Sequence, residues 1–201
     1  NEKGKATVGN LNLQESDNTD YLIYEGSTDP VYNGSLGNTF NYKGFHLNVF
    51  LTYAFGNVVR LDPAFSAKYN DLTSMTHDFK NRWMQPGDEN VTNVPGVVSR
   101  YEYEQNSTLL ATAYNAYNYT SVRTAKGDFI RLKEISLAYD FPHRWFEKSP
   151  VNNISLKLQA TNLMLLYADK KLNGQDPEFM NAGGVASPMP KQFTLTLKLG
   201  L

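Results

Sequence analysis

Apolar and polar side chains alternate with a period of two along residues 191–201. Large apolar side chains share one side of this segment, namely Phe193, Leu195, Leu197, Leu199 and Leu201. Because successive side chains of a β-strand point to opposite faces of a sheet, we predict a strand with one apolar face here. An unpaired apolar edge of this kind promotes aggregation in a water-soluble sheet. The wall of a membrane barrel, by contrast, requires strands with one apolar and one polar face.

The same period of two recurs in four further segments. The apolar positions are Tyr32, Leu36, Phe40 and Tyr42 in the first, the odd-numbered residues from Phe45 to Phe55 in the second, Ile135, Leu137, Tyr139 and Phe141 in the third, and Ile154, Leu156, Leu158 and Ala160 in the fourth. Only Lys43-Gly44 separates the first two segments, so we predict a hairpin with a tight turn there. The sequence therefore predicts five strands.

The segments between these strands lack the period of two. Residues 1–30 are polar and predict a loop region, and 168–190 is a second loop segment that contains Asp-Pro, Gly-Gly and Pro-Met-Pro. In the long loop at about 58–127, apolar side chains between Pro63 and Pro86 recur at spacings near three, four or seven, which predicts an amphipathic helix. These side chains are Phe65, Tyr69, Leu72, Phe79 and Trp83. The remainder of this connection predicts a long, ordered, Tyr-rich loop.

Short and long connections alternate along the chain, as they do in outer-membrane barrels, where short turns lie on the periplasmic side and long loops outside. Aromatic residues flank both short connections and suit the girdle of such a barrel; they are Tyr42, Phe45, Tyr139, Phe141, Trp145 and Phe146. We therefore predict an all-β fold, an antiparallel transmembrane β-barrel segment of about five strands with long extracellular loops, one carrying a helix. Residues 1–30 would be a polar extracellular loop region, and 31–201 would be strands and loops of the barrel, which the family resemblance described below implies to be its C-terminal part.

Composition removes several classes of function. The 19 basic and 20 acidic residues nearly balance, so there is no electrostatic reason for nucleic acid to bind. Cysteine is absent, which excludes disulfides, a thiol nucleophile and thiolate metal sites. The spacing of His46, His77 and His143 matches neither a metal site nor a catalytic triad. We therefore predict no enzymatic activity, no metal and no cofactor.

Tyrosine is abundant, with 13 residues, and it concentrates in the long loop. Candidate residues for substrate or partner contact are Trp83, Tyr101, Tyr103, Tyr114, Tyr117 and Tyr119. Aromatic faces stack on sugar rings or anchor a protein partner. The alternative is that these rings pack the loop against itself and the barrel rim. The sequence leaves both interpretations open.

Four stretches together carry a resemblance to a known family. They are LGNTFNYKGFHLNVFLTYAFGN at 36–57, NRWMQPGDENVTNVP at 81–95, GDFIRLKEISLAYDFP at 127–142, and 160–201 from ATNLMLLY to PMPKQFTLTLKLGL. In this order the chain resembles the C-terminal part of SusC/RagA family TonB-dependent outer-membrane transporters from Bacteroidetes. The N-terminal segment departs from the Asp-rich family pattern, so no calcium-like site is carried over.

The resemblance implies that the full transporter has a plug domain that contacts TonB inside a barrel of about 22 strands. This chain is then expected to be a fragment that supplies part of the barrel wall and extracellular loops in the bacterial outer membrane. Its implied partners are outer-membrane lipid, the remaining barrel strands, a SusD-like surface lipoprotein, TonB through the plug, and a glycan or peptide substrate. The alternative is a soluble extracellular carbohydrate-binding β-sandwich module, whose apolar faces would meet in a core.

Overall fold

The computed structural model describes residues 21–70, 72, 74–180 and 190–200, and predictions about the other positions lie outside this range. Its strands and α-helix are β1 (Tyr32–Tyr42), β2 (Phe45–Phe55), β3 (Val58–Arg60), α1 (Arg100–Asn118), β4 (Thr124–Lys126), β5 (Phe129–Asp140), β6 (Asn153–Ala168) and β7 (Gln192–Gly200). The chain divides into two compact units. Among the described residues, the loop unit comprises 21–26 and 59–125, and the sheet unit comprises 27–58, 126–180 and 190–200.

The sheet unit contains five long strands in the order β1-β2-β5-β6-β7, and each neighbouring pair is antiparallel. The turn between β1 and β2 is the predicted tight hairpin. Lys43 has φ 46° and Gly44 has φ 85°. Positive φ at both positions of a two-residue turn matches the twist of the strands, and glycine adopts it without steric cost. The five-stranded antiparallel architecture confirms the predicted fold class.

Cross-strand register gives this sheet two different faces. Directly paired residues lie on the same face, and one such row crosses all five strands. This row consists of Phe40, Leu47, Leu137, Leu158 and Leu195. The adjacent row on the opposite face consists of Thr39, Asn48, Ser136, Gln159 and Thr194. We call these the apolar face and the polar face.

Much of the apolar face is exposed, and other side chains on it, such as Leu47 and Leu156, are half-buried. Leu137 retains 42% of its accessible surface, Leu158 54% and Leu195 65%. A β-sandwich would bury these side chains between two sheets. The structure therefore does not support the β-sandwich alternative.

Bulges interrupt the alternation in β5 and β6. The β2–β5 register passes from Phe50 opposite Glu134 to Leu51 opposite Leu132, so Lys133 is an extra residue. An extra residue reverses the faces of the side chains beyond it. Leu132 therefore joins the apolar face, and Arg131 turns to the polar face beside Thr52. A strict period of two carried back from Ile135 would have placed Arg131 on the apolar face.

The helix predicted between Pro63 and Pro86 is wrong. In the described residues of that segment the regular element is one short 3-10 turn, His77–Asn81, and a second, Asp88–Asn90, follows just beyond it. The backbone N–H and carbonyl of Phe65 bond to the Asn118 side chain, at 3.2 and 2.7 Å, and not to a helical turn. Of the apolar side chains here, Phe65 is buried, Tyr69 and Phe79 contact each other with ring centroids 5.5 Å apart, and Leu72 and Trp83 are exposed, so their spacing does not reflect one buried helical face.

The helix of the loop unit is α1, which forms where an ordered Tyr-rich loop was predicted, so that prediction is also wrong. Ser99 caps the helix by accepting a hydrogen bond from the Glu102 backbone N–H at 3.1 Å. The Ser99 hydroxyl also lies 3.3 Å from the Glu102 carboxylate. Ser and Glu at this spacing are a helix-start signal. Within the described residues, no helix is long and apolar enough to cross a membrane.

Candidate functional site

The six aromatic residues that the sequence selected all lie in the loop unit, but the structure divides them by exposure. Tyr101 is 74% exposed, and Tyr119 and Trp83 are exposed as well. Tyr103 and Tyr114 are partly buried, and Tyr117 is buried. Some of these rings are therefore available for contact, whereas others pack within the loop unit.

Tyr114 fixes the segment that carries Trp83. The Tyr114 hydroxyl donates a hydrogen bond to the Gly96 carbonyl, and the Trp83 backbone N–H donates to the Val94 carbonyl at 3.0 Å. A Cβ on Gly96 would lie 2.6 Å from the Trp83 carbonyl oxygen, so only glycine permits this close approach. Burial raises the pKa of Tyr114 to about 12, with smaller contributions from Tyr69 and Glu102. Tyr114 is thus a neutral donor that positions Trp83.

Tyr117 belongs to the core of the loop unit. Its ring meets Phe65 edge-on with the ring centroids 5.4 Å apart, and Phe65 is 3% exposed. Burial also raises the pKa of Tyr117, against an opposing effect of the nearby Arg123 guanidinium. Asn118, the next residue, makes the two hydrogen bonds to the Phe65 backbone. Tyr117 therefore packs within the core of the loop unit and is not itself available for contact.

Arg123 is a buried residue of the loop unit that the sequence analysis missed. Its guanidinium lies 4.8 Å from the centre of the Phe65 ring. It also donates to the Asp62 carbonyl at 2.9 Å and pairs with Asp78 at 3.3 Å. One side chain therefore joins three segments. No local pattern marks it, because these partners are up to 61 residues away in sequence.

A second buried cation lies on the polar face of the sheet unit. Arg131 pairs with Asp176, and both side chains are almost fully buried. Glu178 adds a carboxylate oxygen 3.1 Å from the Arg131 Nε. Asp176 also caps the 3-10 turn Pro177–Phe179 by accepting from the Glu178 backbone N–H at 3.1 Å. The pairing holds 169–180 against β5. A charged residue at an odd position of β5, among apolar ones, was the signal available in the sequence.

At the end of the sheet unit with long connections, acidic side chains accept hydrogen bonds from backbone N–H groups. Asp128 accepts a hydrogen bond from the Gly56 backbone N–H at 2.7 Å. Asp169 accepts from the Lys126 and Lys171 backbone N–H groups, each at 2.9 Å. Burial alone would raise the pKa of Asp169, but these hydrogen bonds and the nearby lysines together lower it. These carboxylates fix the ends of β2, β5 and β6 where the loops begin.

The histidines make no metal cluster with other described residues. His46 lies on the polar face, where its Nε2 is 2.9 Å from Asp140 and its Nδ1 is 2.6 Å from the Asn41 side chain. The described parts of the chain contain no group of three His, Cys, Asp or Glu side chains placed to hold a metal ion. The His46 contacts join β1, β2 and β5 at the end of the sheet with short connections.

Aromatic rings continue the apolar face to that same end. Phe45 and Tyr139 have ring centroids 4.4 Å apart, Tyr139 and Phe141 are 5.0 Å apart, and Phe141 and Trp145 are 5.8 Å apart. Trp145 is 63% exposed. The short connection is itself ordered by backbone hydrogen bonds, including one from Trp145 to the Pro142 carbonyl at 3.0 Å.

Comparison with known proteins identifies the architecture. No protein-family model matches the chain. The TonB-dependent receptor P39 of Formosa agariphila is 26% identical over 184 residues, which cover 90% of this chain and 16% of that protein.

Solved structures of RagAB share the fold. The RagAB peptide importer in the open-open state aligns with a TM-score of 0.60 at 21% identity and covers 89% of this chain and 18% of that chain. The closed-closed state gives a TM-score of 0.61 at 20% identity and covers 88% of this chain and 18% of that chain.

The fold is therefore that of a segment of antiparallel β-barrel wall, and the chain is similar in sequence to a TonB-dependent receptor and in fold to the RagAB importer. Within that class its similarity is to the SusC/RagA type, which confirms the resemblance indicated by the four sequence stretches. The chain spans 16% of the length of the curated relative and 18% of each solved chain that it matches.

Proposed function

We propose that this chain forms part of the barrel wall and extracellular loops of a transporter that imports a nutrient across the bacterial outer membrane, with energy supplied through TonB. The observation that carries this proposal is the exposed apolar row that crosses all five paired strands. Lipid is the environment that accepts such a row, because it costs nothing to leave leucine side chains in contact with acyl chains. The apolar face then faces the membrane.

The polar face supports the same orientation. Its rows consist mainly of amides, hydroxyls and charged groups, with Phe50 and Ala138 as apolar exceptions, and they suit the polar interior of a barrel. The long strands have 9 to 16 residues. A tilted strand needs about 9–11 residues to span a bilayer, so each one is long enough. The short connections would lie on the periplasmic side, and the long connections, including 58–127, would lie outside, as would 1–30.

Transport requires no bond to be made or broken by these residues. The relatives are named as a receptor and as importers, which favours a transporter over an enzyme. The substrate class that we propose is a glycan or a peptide. The RagAB structures are of a peptide importer, which supports the peptide.

We propose that the exposed aromatic residues of the loop unit contact the substrate or a SusD-like surface lipoprotein. Tyr101, Tyr119 and Trp83 offer exposed rings, and Tyr103 offers part of one. Tyr114 and Tyr117 hold this surface from within the loop unit. Exposed aromatic side chains carry much of the binding energy where they enter a complementary pocket.

The transport proposal is tested in cells that produce the full-length protein containing this chain. Uptake of labelled peptides and of labelled oligosaccharides is measured in a strain with intact TonB and in an isogenic strain without it. We expect uptake of one of the two classes, and we expect it to disappear without TonB. Equal uptake in both strains would contradict the proposal.

The contact surface is tested by the double variant Tyr101→Ala/Tyr119→Ala of the full-length protein. We expect weaker binding of substrate or lipoprotein, because two exposed rings are lost. Val91→Ala is the matched control, since Val91 is 83% exposed in the same unit but is not among the selected residues. Equal effects of the two variants would show that the selected rings have no special role.

A further inference from the structure

We propose that the end of the sheet unit with short connections binds the headgroups of anionic phospholipids. The binding surface consists of an aromatic part, Phe141 and Trp145, and a basic part, Lys43, Arg144 and Lys148. This inference rests on the proposed membrane environment of the apolar face. It adds a lipid class and the residues that select it.

The aromatic part continues the apolar face toward water. Phe141 contacts Tyr139, the last outward ring of β5, and Trp145 contacts Phe141. The chain of ring contacts therefore ends at an exposed indole beyond the end of the strand. An indole combines an apolar ring with an N–H donor, and it prefers the boundary between acyl chains and headgroups. Trp145 thus marks the depth at which headgroups lie.

The basic part lies in the same connection as this indole and in the neighbouring hairpin turn. Arg144 directly precedes Trp145, Lys148 follows three residues later, and both side chains are exposed. Neither makes an ion pair with any residue in the described portion of the chain. Lys43 lies over the Tyr42 ring at 5.2 Å. The Gly44 carbonyl accepts the Asp140 backbone N–H at 2.9 Å, which brings the hairpin turn beside the start of the connection.

Acidic side chains offset this charge only in part. Glu147 is the sole acidic residue of 141–152. Asp140 is also exposed, but it lies on the polar face, where its carboxylate is 2.9 Å from His46 Nε2. Three basic groups against these two acids leave a net positive charge at headgroup depth.

A phospholipid headgroup fits this surface better than a soluble anion does. The basic groups lie in the turn and the connection that join strands of the apolar face, so one lipid can place its phosphate against Arg144 or Lys148 and its acyl chains along the apolar face. Arginine and lysine near a membrane end extend toward phosphates while their aliphatic stems stay in the apolar layer. Anionic lipids attract such groups, and the attraction decreases within a Debye length as salt is added.

The test uses the full-length protein in nanodiscs of equal parts phosphatidylglycerol and phosphatidylcholine, with one of the two lipids brominated. Bromine quenches indole fluorescence at short range, and the difference between the native protein and Trp145→Phe isolates the signal of Trp145. We expect an enrichment of phosphatidylglycerol over phosphatidylcholine near Trp145 of about fivefold, the effect of one basic group near the surface. In Arg144→Gln/Lys148→Gln this ratio should fall toward one.

The matched control is Lys80→Gln/Arg100→Gln, which removes two exposed charges from the loop unit and should keep the enrichment. Correct folding of each variant is checked by the heat-dependent gel mobility of the barrel. Equal quenching by both lipids in the native protein would overturn the inference. That result would leave TonB-dependent uptake untouched, whereas failure of the protein to enter a bilayer would count against the proposed function itself.

Discussion

The two units of this chain are stabilised in different ways. In the sheet unit, the large side chains of the apolar face are exposed or half-buried, and regular backbone pairing joins the strands. In the loop unit, Phe65, Tyr117, Asn118 and Arg123 are all buried, each to 7% exposure or less. One unit therefore depends on a repeated pattern and on its surroundings, and the other on a few specific contacts.

This difference determines which substitutions matter. Every position on the apolar face has many equivalent neighbours, so the environment of the face matters more than any one contact. In the loop unit, a buried polar group that loses its partner keeps the full cost of desolvation. We therefore expect single substitutions to damage the loop unit locally and the sheet unit only where they change the character of a face.

Arg123→Ala should have the largest effect. It removes the contact with the Phe65 ring, the hydrogen bond to Asp62 and the ion pair with Asp78. Breaking a buried ion pair by removing one partner costs about 3–5 kcal/mol. We expect this loss in the local stability of the loop unit, measured by hydrogen exchange with mass spectrometry on the full-length protein in detergent. Exchange in the peptides of 59–125 should rise while exchange in β5 and β6 stays unchanged.

Arg100→Ala is the control for that experiment. Arg100 pairs with Glu104 on the exposed side of α1, and its side chain is 92% exposed. An exposed pair of this kind contributes about 0.3–0.5 kcal/mol. If Arg100→Ala loosened the loop unit as much as Arg123→Ala, the buried contacts would not be what holds it together.

The sequence predicted the sheet unit better than the loop unit for the same physical reason. Local alternation of apolar and polar residues predicts a strand and its two faces, and this alternation is present in all five long strands. The alternation did not predict the bulge at Lys133, because a bulge changes the period within one strand. Arg123 and Asp78 are 45 residues apart, and Asn118 and Phe65 are 53 apart, so no local pattern reveals these contacts. The start of α1 was predictable from Ser99 and Glu102, but the tyrosines were interpreted as loop residues.

The second largest effect is expected on the apolar face, with Leu195→Lys. A lysine near the middle of a lipid-facing strand costs about 2–4 kcal/mol. We expect this loss in the free energy of unfolding of the full-length protein, measured by denaturant titration in lipid vesicles. Thr194→Lys places the same charge one residue away on the polar face, and we expect a cost near zero. Equal losses at the two positions would mean that lipid does not cover the apolar face.

Asn118→Ala should have a smaller effect than either change. It leaves the Phe65 backbone N–H and carbonyl without partners in a buried site, which costs about 1–3 kcal/mol. We expect faster hydrogen exchange around Phe65 and at the C-terminal turn of α1. Asn115→Ala removes an exposed amide from the same helix and serves as the control. No change in exchange around Phe65 would show that these two hydrogen bonds do not stabilise the loop unit.

The smallest effect concerns Tyr114 and appears only at high pH. Burial raises the pKa of Tyr114 from its usual 10.0 to about 12, with smaller contributions from Tyr69 and Glu102, and the neutral hydroxyl donates to the Gly96 carbonyl. A group whose pKa is raised on folding contributes stability that is complete below the unfolded pKa. This contribution is then lost as the pH rises from 10.0 to about 12. Hydrogen exchange of the Trp83 segment should therefore accelerate, beyond its normal base catalysis, across that interval.

Tyr114→Phe tests this directly, because it removes the titrating hydroxyl and keeps the ring. We expect the Trp83 segment to be less protected than in the native protein at pH 8, and we expect the difference between the two proteins to shrink as the pH approaches 12. In a pH titration of tyrosinate absorbance, the variant should also lack the component that titrates near pH 12, which belongs to Tyr114. Tyr101→Phe alters an exposed ring and should leave both that component and the protection in place. Equal protection of the Trp83 segment in native protein and Tyr114→Phe at pH 8 would show that ring packing, and not the hydroxyl, positions Trp83.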